Sequence, residues 1–370
     1  MKTEVLVASC LVLLTSGCAS GPDRAAAPRD SAAVTAWEGG RRAEVLDWFA
    51  GHQFGRTPIG RPADETFGPD SVSFPELGLR ITVECHLPAG ASAANPVPVF
   101  LFGDHISVDG SPDFAPGVYK GLPVDAITAR GYAFVRWNFN DICPNASRVN
   151  RLSMWPRGVI AKLATGDAAS TNVVRAADSW GTIGAWAWGN SRVLDWIESR
   201  PELDAKRVAV VGHSRGGKTA LWTGAQDRRF AMVVSNGSGC GGAGLARKRT
   251  EVKGGESFGD ILGMFPNWFC PAFKEWIGRD AEVPHDADDL IRLIAPRPVY
   301  VASGSTDAWA CPPSEQAALE SARDLYRAYG AEDRTGYHCH EGPHVLRADD
   351  WAKFMDFANR HLSGVYPFFK

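Results

Sequence analysis

A serine hydroxyl is a poor nucleophile at neutral pH unless a base lies within hydrogen-bond reach and an acid orients that base. Gly212-His213-Ser214-Arg215-Gly216 offers such a serine. It directly follows the apolar run Arg207-Val208-Ala209-Val210-Val211, and the residues after it read as a helix. This pattern lifts Ser214 onto a sharp strand-to-helix bend with its hydroxyl presented outward. Side chains at the two flanking glycines are expected to collide with neighbouring backbone. The acid and then the histidine should follow in chain order. His344, in Glu341-Gly342-Pro343-His344, lies between a short strand and the last helix and is the expected base. His338 and His340 on that strand are alternatives, although packing or fixing the loop suits them better. Asp307, in Gly304-Ser305-Thr306-Asp307, is the expected acid; it could instead serve the turn. Glu315 competes with it but falls in the following helix. Arg215 should supply a backbone N–H and a guanidinium to a developing oxyanion. Lys218, one helical turn after Ser214, is within reach of substrate hydroxyls; a solvated helix face or a salt bridge is the plainer alternative.

These side chains need a scaffold that brings three distant loops together. Alternating polar and apolar residues predict a strand over 79–87, and nearly continuous apolar runs predict buried strands over 97–102 and 131–137. Further strands are expected over 207–211, 230–234, 298–302 and 336–340. Helices are expected over 37–49, near 124–129, over 181–200, from Ser214 to about 225, ending at 295, over 313–329 and over 351–362. The stretches 138–178 and 247–273 read as long excursions over the sheet, and loops of that length are usually functional. Strand–helix alternation predicts an α/β fold with a mostly parallel sheet covered on both faces, in one domain over 37–370.

The chain has 370 residues, 45% of them hydrophobic, and a net charge of -3. That suits a large core and leaves no basic field for nucleic acid. Thirteen tryptophans either fill the core or line a groove suited to sugar rings and aromatic groups. The apolar stretch 5–14 is too short to span a bilayer, and Thr15-Ser16-Gly17-Cys18 resembles a bacterial lipobox. Residues 1–18 are therefore expected to be a signal peptide with Cys18 as the site of a lipid anchor, and 19–36 a flexible linker. Simple cleavage near Cys18 is the alternative. Either way, export to the periplasm, an outer-membrane anchor or the medium is expected. Cys85, Cys143, Cys240, Cys270, Cys311 and Cys339 allow fifteen pairings, and buried free thiols are the plain reading for some of them. Without a C-x-x-C, no structural zinc is expected, and the chemistry requires neither metal nor cofactor. A monomer is expected.

The longer string Ser214-Arg215-Gly216-Gly217-Lys218 resembles carbohydrate esterase family 15, the glucuronoyl esterases, within the α/β-hydrolase superfamily. The segments starting at Trp180, Ser235, Phe265 (Phe265-Pro266-Asn267-Trp268-Phe269-Cys270), Leu293 and Asp307 extend the likeness over roughly residues 40–365. The agreement is closest to bacterial members. The resemblance implies cleavage of the ester joining 4-O-methyl-glucuronic acid of xylan to lignin alcohols. It implies Ser214 as nucleophile, His344 as base and Arg215 as oxyanion stabiliser. Lys218 would bind sugar hydroxyls, assisted by Glu256 and Trp309. Where fungal members carry a glutamate as acid, this chain has Gly237, so it must depend on Asp307. The family's second oxyanion donor should come from Gly103-Asp104-His105, and no residue there is assigned. An acetylxylan esterase on the same scaffold and a glycan-binding lipoprotein without catalysis are the competing readings.

Overall fold

The computed structural model describes residues 29–104, 122–145, 157–247 and 255–362. The lipobox at Cys18 and the segments 105–121 and 248–254 lie outside the described residues. Nine strands form one sheet: β1 (Thr66–Gly68), β2 (Ser71–Phe74), β3 (Leu79–His86), β4 (Val97–Asp104), β5 (Ala133–Asn138), β6 (Leu203–His213), β7 (Met232–Asn236), β8 (Val299–Gly304) and β9 (Thr335–His340). Their spatial order is β1-β2-β3-β5-β4-β6-β7-β8-β9. From β5 across to β9 every pairing is parallel; β1, β2 and β3 add an antiparallel edge.

Ten α-helices flank the sheet among the described residues: α1 (Ser31–Ala36), α2 (Arg42–His52), α3 (Val124–Ala129), α4 (Val159–Thr165), α5 (Thr182–Glu198), α6 (Arg215–Gln226), α7 (Phe258–Met264), α8 (Ala287–Arg292), α9 (Pro312–Tyr329) and α10 (Ala348–His361). Period-two alternation along the central strands divides the core. Val99, Leu101, Val208, Val210 and Val233 enter the layer that holds α2, α5, α6, α8 and α9. Phe100, Phe102, Ala209, Val211 and Val234 enter the opposite layer, with Ile127 of α3 and Trp351, Phe354 and Phe357 of α10. This is the expected three-layer α/β arrangement. It leaves the carboxyl ends of β6, β7, β8 and β9 side by side, and ligands bind at such ends of parallel sheets.

Three local features differ from expectation. The helical N-terminus starts at Ser31, inside the stretch read as linker, because Asp30 accepts a hydrogen bond from the Ala33 N–H at 2.9 Å and caps α1. The hairpin of β1 and β2 has no sequence counterpart; its strands are three and four residues long, too short for an alternation to stand out. Both long excursions carry short helices, α4 in the first and α7 in the second. Among the tryptophans, Trp137, Trp186, Trp196, Trp222 and Trp351 are fully buried, so core filling is their role. No helix of the described residues is long and apolar enough to cross a membrane. Cys85, Cys143, Cys270, Cys311 and Cys339 carry free thiols.

Candidate active site

β6 runs to His213 and α6 starts at Arg215, so Ser214 alone makes the bend. Its φ of 56° and ψ of -122° lie where a residue with a side chain is strained. The strain is held from both sides: the Ser214 N–H donates to Asn236 O at 2.8 Å, and the Gly217 and Lys218 N–H groups donate back to Ser214 O. A Cβ at Gly212 would sit 1.9 Å from Gly216 O, so glycine is obligatory there. Gly216 differs from expectation. A Cβ there meets Gly103 O at an ordinary 3.6 Å, because the residue has already entered the helix.

Asp307 and His344 come together from the ends of β8 and β9. His344 Nδ1 and Asp307 Oδ2 are 2.5 Å apart. The other carboxylate oxygen accepts the backbone N–H groups of Trp309 and Ala310, each at 3.0 Å. Burial alone would raise this carboxyl's pKa. The His344 hydrogen bond and charge, with the two N–H donors, outweigh burial and hold it below the usual carboxylate range. With Nδ1 committed to Asp307, His344 Nε2 is buried and makes no hydrogen bond among the described residues. It is the nitrogen left to take a proton. Two rungs stitch the acid and base loops together: Ser305 N–H to His340 O at 2.8 Å and Thr306 N–H to Gly342 O at 2.9 Å.

The alternatives fall elsewhere. His338 and His340 both engage Asp350 of α10, at 2.6 and 3.0 Å, and so pin the strand before the base loop. Glu315 is fully buried and bonds Gly239 N–H and Ser303, not His344. Gly237 packs against the pair itself. A Cβ there would lie 3.2 Å from His344 Cε1 and 3.4 Å from Asp307 Oδ2, at a φ of 54°. Gly237→Ala is therefore expected to cost about 1–2 kcal/mol in stability through the left-handed backbone. It should also slow hydrolysis of an activated ester roughly tenfold by displacing the imidazole. Urea unfolding and p-nitrophenyl acetate turnover check this; an unchanged midpoint and rate would show that the packing is looser than described.

Two buried cations stand beside the serine. The Arg215 guanidinium lies 4.9 Å from the Trp268 ring centroid and 5.3 Å from that of Phe265, and those two rings stack on each other. Lys218 is not on a solvated face. It is buried, its Nζ donates to Ser238 O at 2.5 Å, and it approaches Trp268 from 5.7 Å. Burial pushes its ammonium pKa down, while Glu256 and Glu315 oppose that shift. Glu256 is half-buried; burial raises its carboxyl and Lys218 lowers it. The Gly255 and Glu256 N–H groups donate to Ala308 O and Trp309 O, which brings Glu256 and Trp309 onto one cleft. Trp309 is 58% exposed, with its ring 5.7 Å from that of His344. Of the region expected to give a second oxyanion donor, Asp104 is bound to Arg136 at 2.6 Å, and His105 lies outside the described residues.

Sequence reasoning missed the platform of Phe265 and Trp268 as a seat for the two cations. It also missed His213 and Asn236. His213 Nδ1 lies 2.5 Å from Asn236 Oδ1, and its ring sits 4.6 Å from that of His344. Burial, and then the neighbouring His344, pull its pKa down to about 3, so it stays neutral beside the base. Its place inside the Gly-x-Ser-x-Gly string was the signal available. Serine, imidazole, carboxylate and adjacent cations suit nucleophilic acyl transfer through a tetrahedral oxyanion.

Comparison with known proteins points the same way. The family model for fungal glucuronyl esterases matches residues 168–330. Carbohydrate esterase MZ0003, from an unknown prokaryotic organism, is 42% identical over 200 residues, covering 50% of this chain and 45% of that protein. The 4-O-methyl-glucuronoyl methylesterase of Hypocrea jecorina is 30% identical over 305 residues, covering 80% of this chain and 59% of that protein. The matched region thus spans about half the length of these two curated relatives. Among solved structures, a promiscuous family 15 esterase from a marine bacterial metagenome superposes with a TM-score of 0.72 at 28% identity, covering 92% of this chain and 98% of that one. The glucuronoyl esterase from Solibacter usitatus gives a TM-score of 0.74 at 26% identity, covering 93% and 99%.

Proposed function

Because the chain belongs to the glucuronoyl esterases of carbohydrate esterase family 15, we propose that it hydrolyses esters of 4-O-methyl-glucuronic acid, those linking xylan branches to lignin alcohols. The observation that carries this reading is the Asp307–His344 pair at 2.5 Å beside the strained Ser214 turn, with Arg215 and Lys218 buried next to it.

In this mechanism His344 Nε2 takes the Ser214 proton as Oγ attacks the ester carbonyl carbon. The carbonyl electron pair moves onto oxygen, and the oxyanion faces the Arg215 N–H and guanidinium. Collapse expels the alcohol, protonated by His344, and leaves the uronate acyl group on Ser214. Water gives a proton to His344, attacks the acyl carbon and releases the acid, and the serine regains its proton. Lys218 and Glu256 hold the sugar hydroxyls, and Trp309 flanks the ring. Asp307 keeps the imidazole in the correct tautomer and steadies its charge. Export and a lipid anchor at Cys18 belong to the same proposal and rest on the N-terminal sequence pattern.

The test compares methyl 4-O-methyl-glucuronate with acetylated xylan. A clear preference for the uronate ester is expected, and a strong preference for acetyl groups would reject the reading. Lys218→Met, which keeps the aliphatic stem, should raise KM for the uronate ester by about ten- to a hundredfold while p-nitrophenyl acetate hydrolysis changes far less. Equal losses on both esters would remove Lys218 from sugar binding.

A further inference from the structure

Glu315 is a charged side chain with no exposed surface, and the mechanism above does not use it. It projects from the first turn of α9 into the floor of the site. Oε1 accepts the Gly239 N–H at 2.8 Å and the Ser238 hydroxyl at 3.3 Å; Oε2 accepts the Ser303 hydroxyl at 2.6 Å. One carboxylate therefore ties the turn after β7 to the end of β8. The turn supplies Ser238 O, which holds the Lys218 ammonium, and Asp307 lies three residues beyond the end of β8.

The donors around it are arranged for an ionised acceptor. The Ser238 hydroxyl receives hydrogen bonds from Ser235 Oγ at 2.8 Å and Ala243 N–H at 2.9 Å, which leaves its own proton for Glu315. The Ser303 hydroxyl receives one from Tyr337 at 3.4 Å and likewise points its proton at the carboxylate. A buried charge with this many partners is costly to keep unless it serves something. Burial pushes the carboxyl up to about 7, and the Ser303 and Gly239 donors oppose that shift. The titratable and charged groups that face it are Lys218 and Asp307, with Cys311, Tyr337 and Cys339 nearby. Lys218 in turn faces Glu256, Cys240, Glu315 and Arg215.

We propose that Glu315 is a positioning residue that acts through Lys218: its carboxylate fixes the Ser238–Gly239 turn and balances the buried ammonium, so that Lys218 stays charged and aimed at the uronate sugar. This deepens the reading given above and rests on it. The sign follows from charge. Glu256, Cys240 and Glu315 oppose the burial of Lys218; removing the Glu315 carboxylate takes one of these away, so the ammonium loses its proton at lower pH.

The experiment uses Glu315→Gln, which keeps shape and the acceptor for Gly239 N–H while removing the charge. Wild type and variant are compared on methyl glucuronate and on p-nitrophenyl acetate across pH. KM for the uronate ester should rise about tenfold with kcat little changed. The alkaline limb of kcat/KM should move to lower pH, and acetate hydrolysis should stay within about twofold. Equal losses on the two esters, or an alkaline limb that does not move, overturn the proposal. Wild-type turnover of the uronate ester separately tests the parent reading, so the two failures are distinguishable. If Glu315→Gln does not fold, Ser303→Ala removes one donor and leaves α9 intact. It should raise KM for the uronate ester about threefold, and an unchanged KM there also overturns the proposal.

Discussion

Ser214→Ala will abolish ester hydrolysis while leaving sugar binding close to that of the wild-type protein. The loss in kcat should be on the order of a millionfold, leaving the residual that oxyanion donors and binding give over water. Burial explains why binding survives. Ser214 is half-buried at the bend, whereas Lys218 and Glu256 are held by other contacts, Ser238 O for one and Trp309 O for the other. Alanine at a φ of 56° keeps the same backbone strain as serine, so the turn should persist. The check pairs turnover of methyl glucuronate with calorimetric binding of glucuronate. Turnover near that of wild type in the alanine variant would remove Ser214 from the chemistry; loss of binding together with turnover would mean that the turn had collapsed.

Asp307→Asn should cost about ten-thousandfold in kcat with KM nearly unchanged. An asparagine can occupy the same volume and still accept the Trp309 and Ala310 N–H groups through its oxygen. It then turns its amide towards His344 Nδ1, which selects the tautomer with a proton on Nε2 and leaves no acceptor for the serine. The effect must far exceed that of Gly237→Ala, which disturbs the imidazole by contact alone. Steady-state kinetics on both variants decide it. A loss below about a hundredfold for Asp307→Asn would assign the orienting role to another acid.

The legible part of the site was the part governed by local pattern. An apolar run into Gly-x-Ser-x-Gly gave the strand, the bend and the helix, and β6 duly ends at His213 with α6 beginning at Arg215. Asp307 and His344 were readable because each follows a short strand in chain order. The sheet order from β5 to β9 could not be written from the sequence, but its parallel sense could, since helices separate most of those strands. What escaped was whatever depends on contact between distant segments. Phe265 and Trp268 look like ordinary apolar residues until Arg215 and Lys218 are seen against them. Lys218 read as a residue within reach of substrate hydroxyls, with a solvated face as the alternative, but helical spacing does not reveal that it is buried with its ammonium on Ser238 O. Glu315 read as a rival acid because only the fold turns it towards Gly239 and Ser303. The β1–β2 hairpin failed for a simpler reason: short edge strands carry too few residues to display a period.

The most direct measurement is the covalent intermediate. In the wild-type enzyme, whose His344 serves both steps, an ester with a good leaving group, such as the p-nitrophenyl ester of glucuronic acid, should acylate Ser214 faster than water releases the acyl group, so that the intermediate accumulates in a burst. Acid quenching followed by peptide mapping should find a glucuronoyl group on Ser214. An unmodified Ser214 peptide, or the same mass on a different residue, would contradict the account.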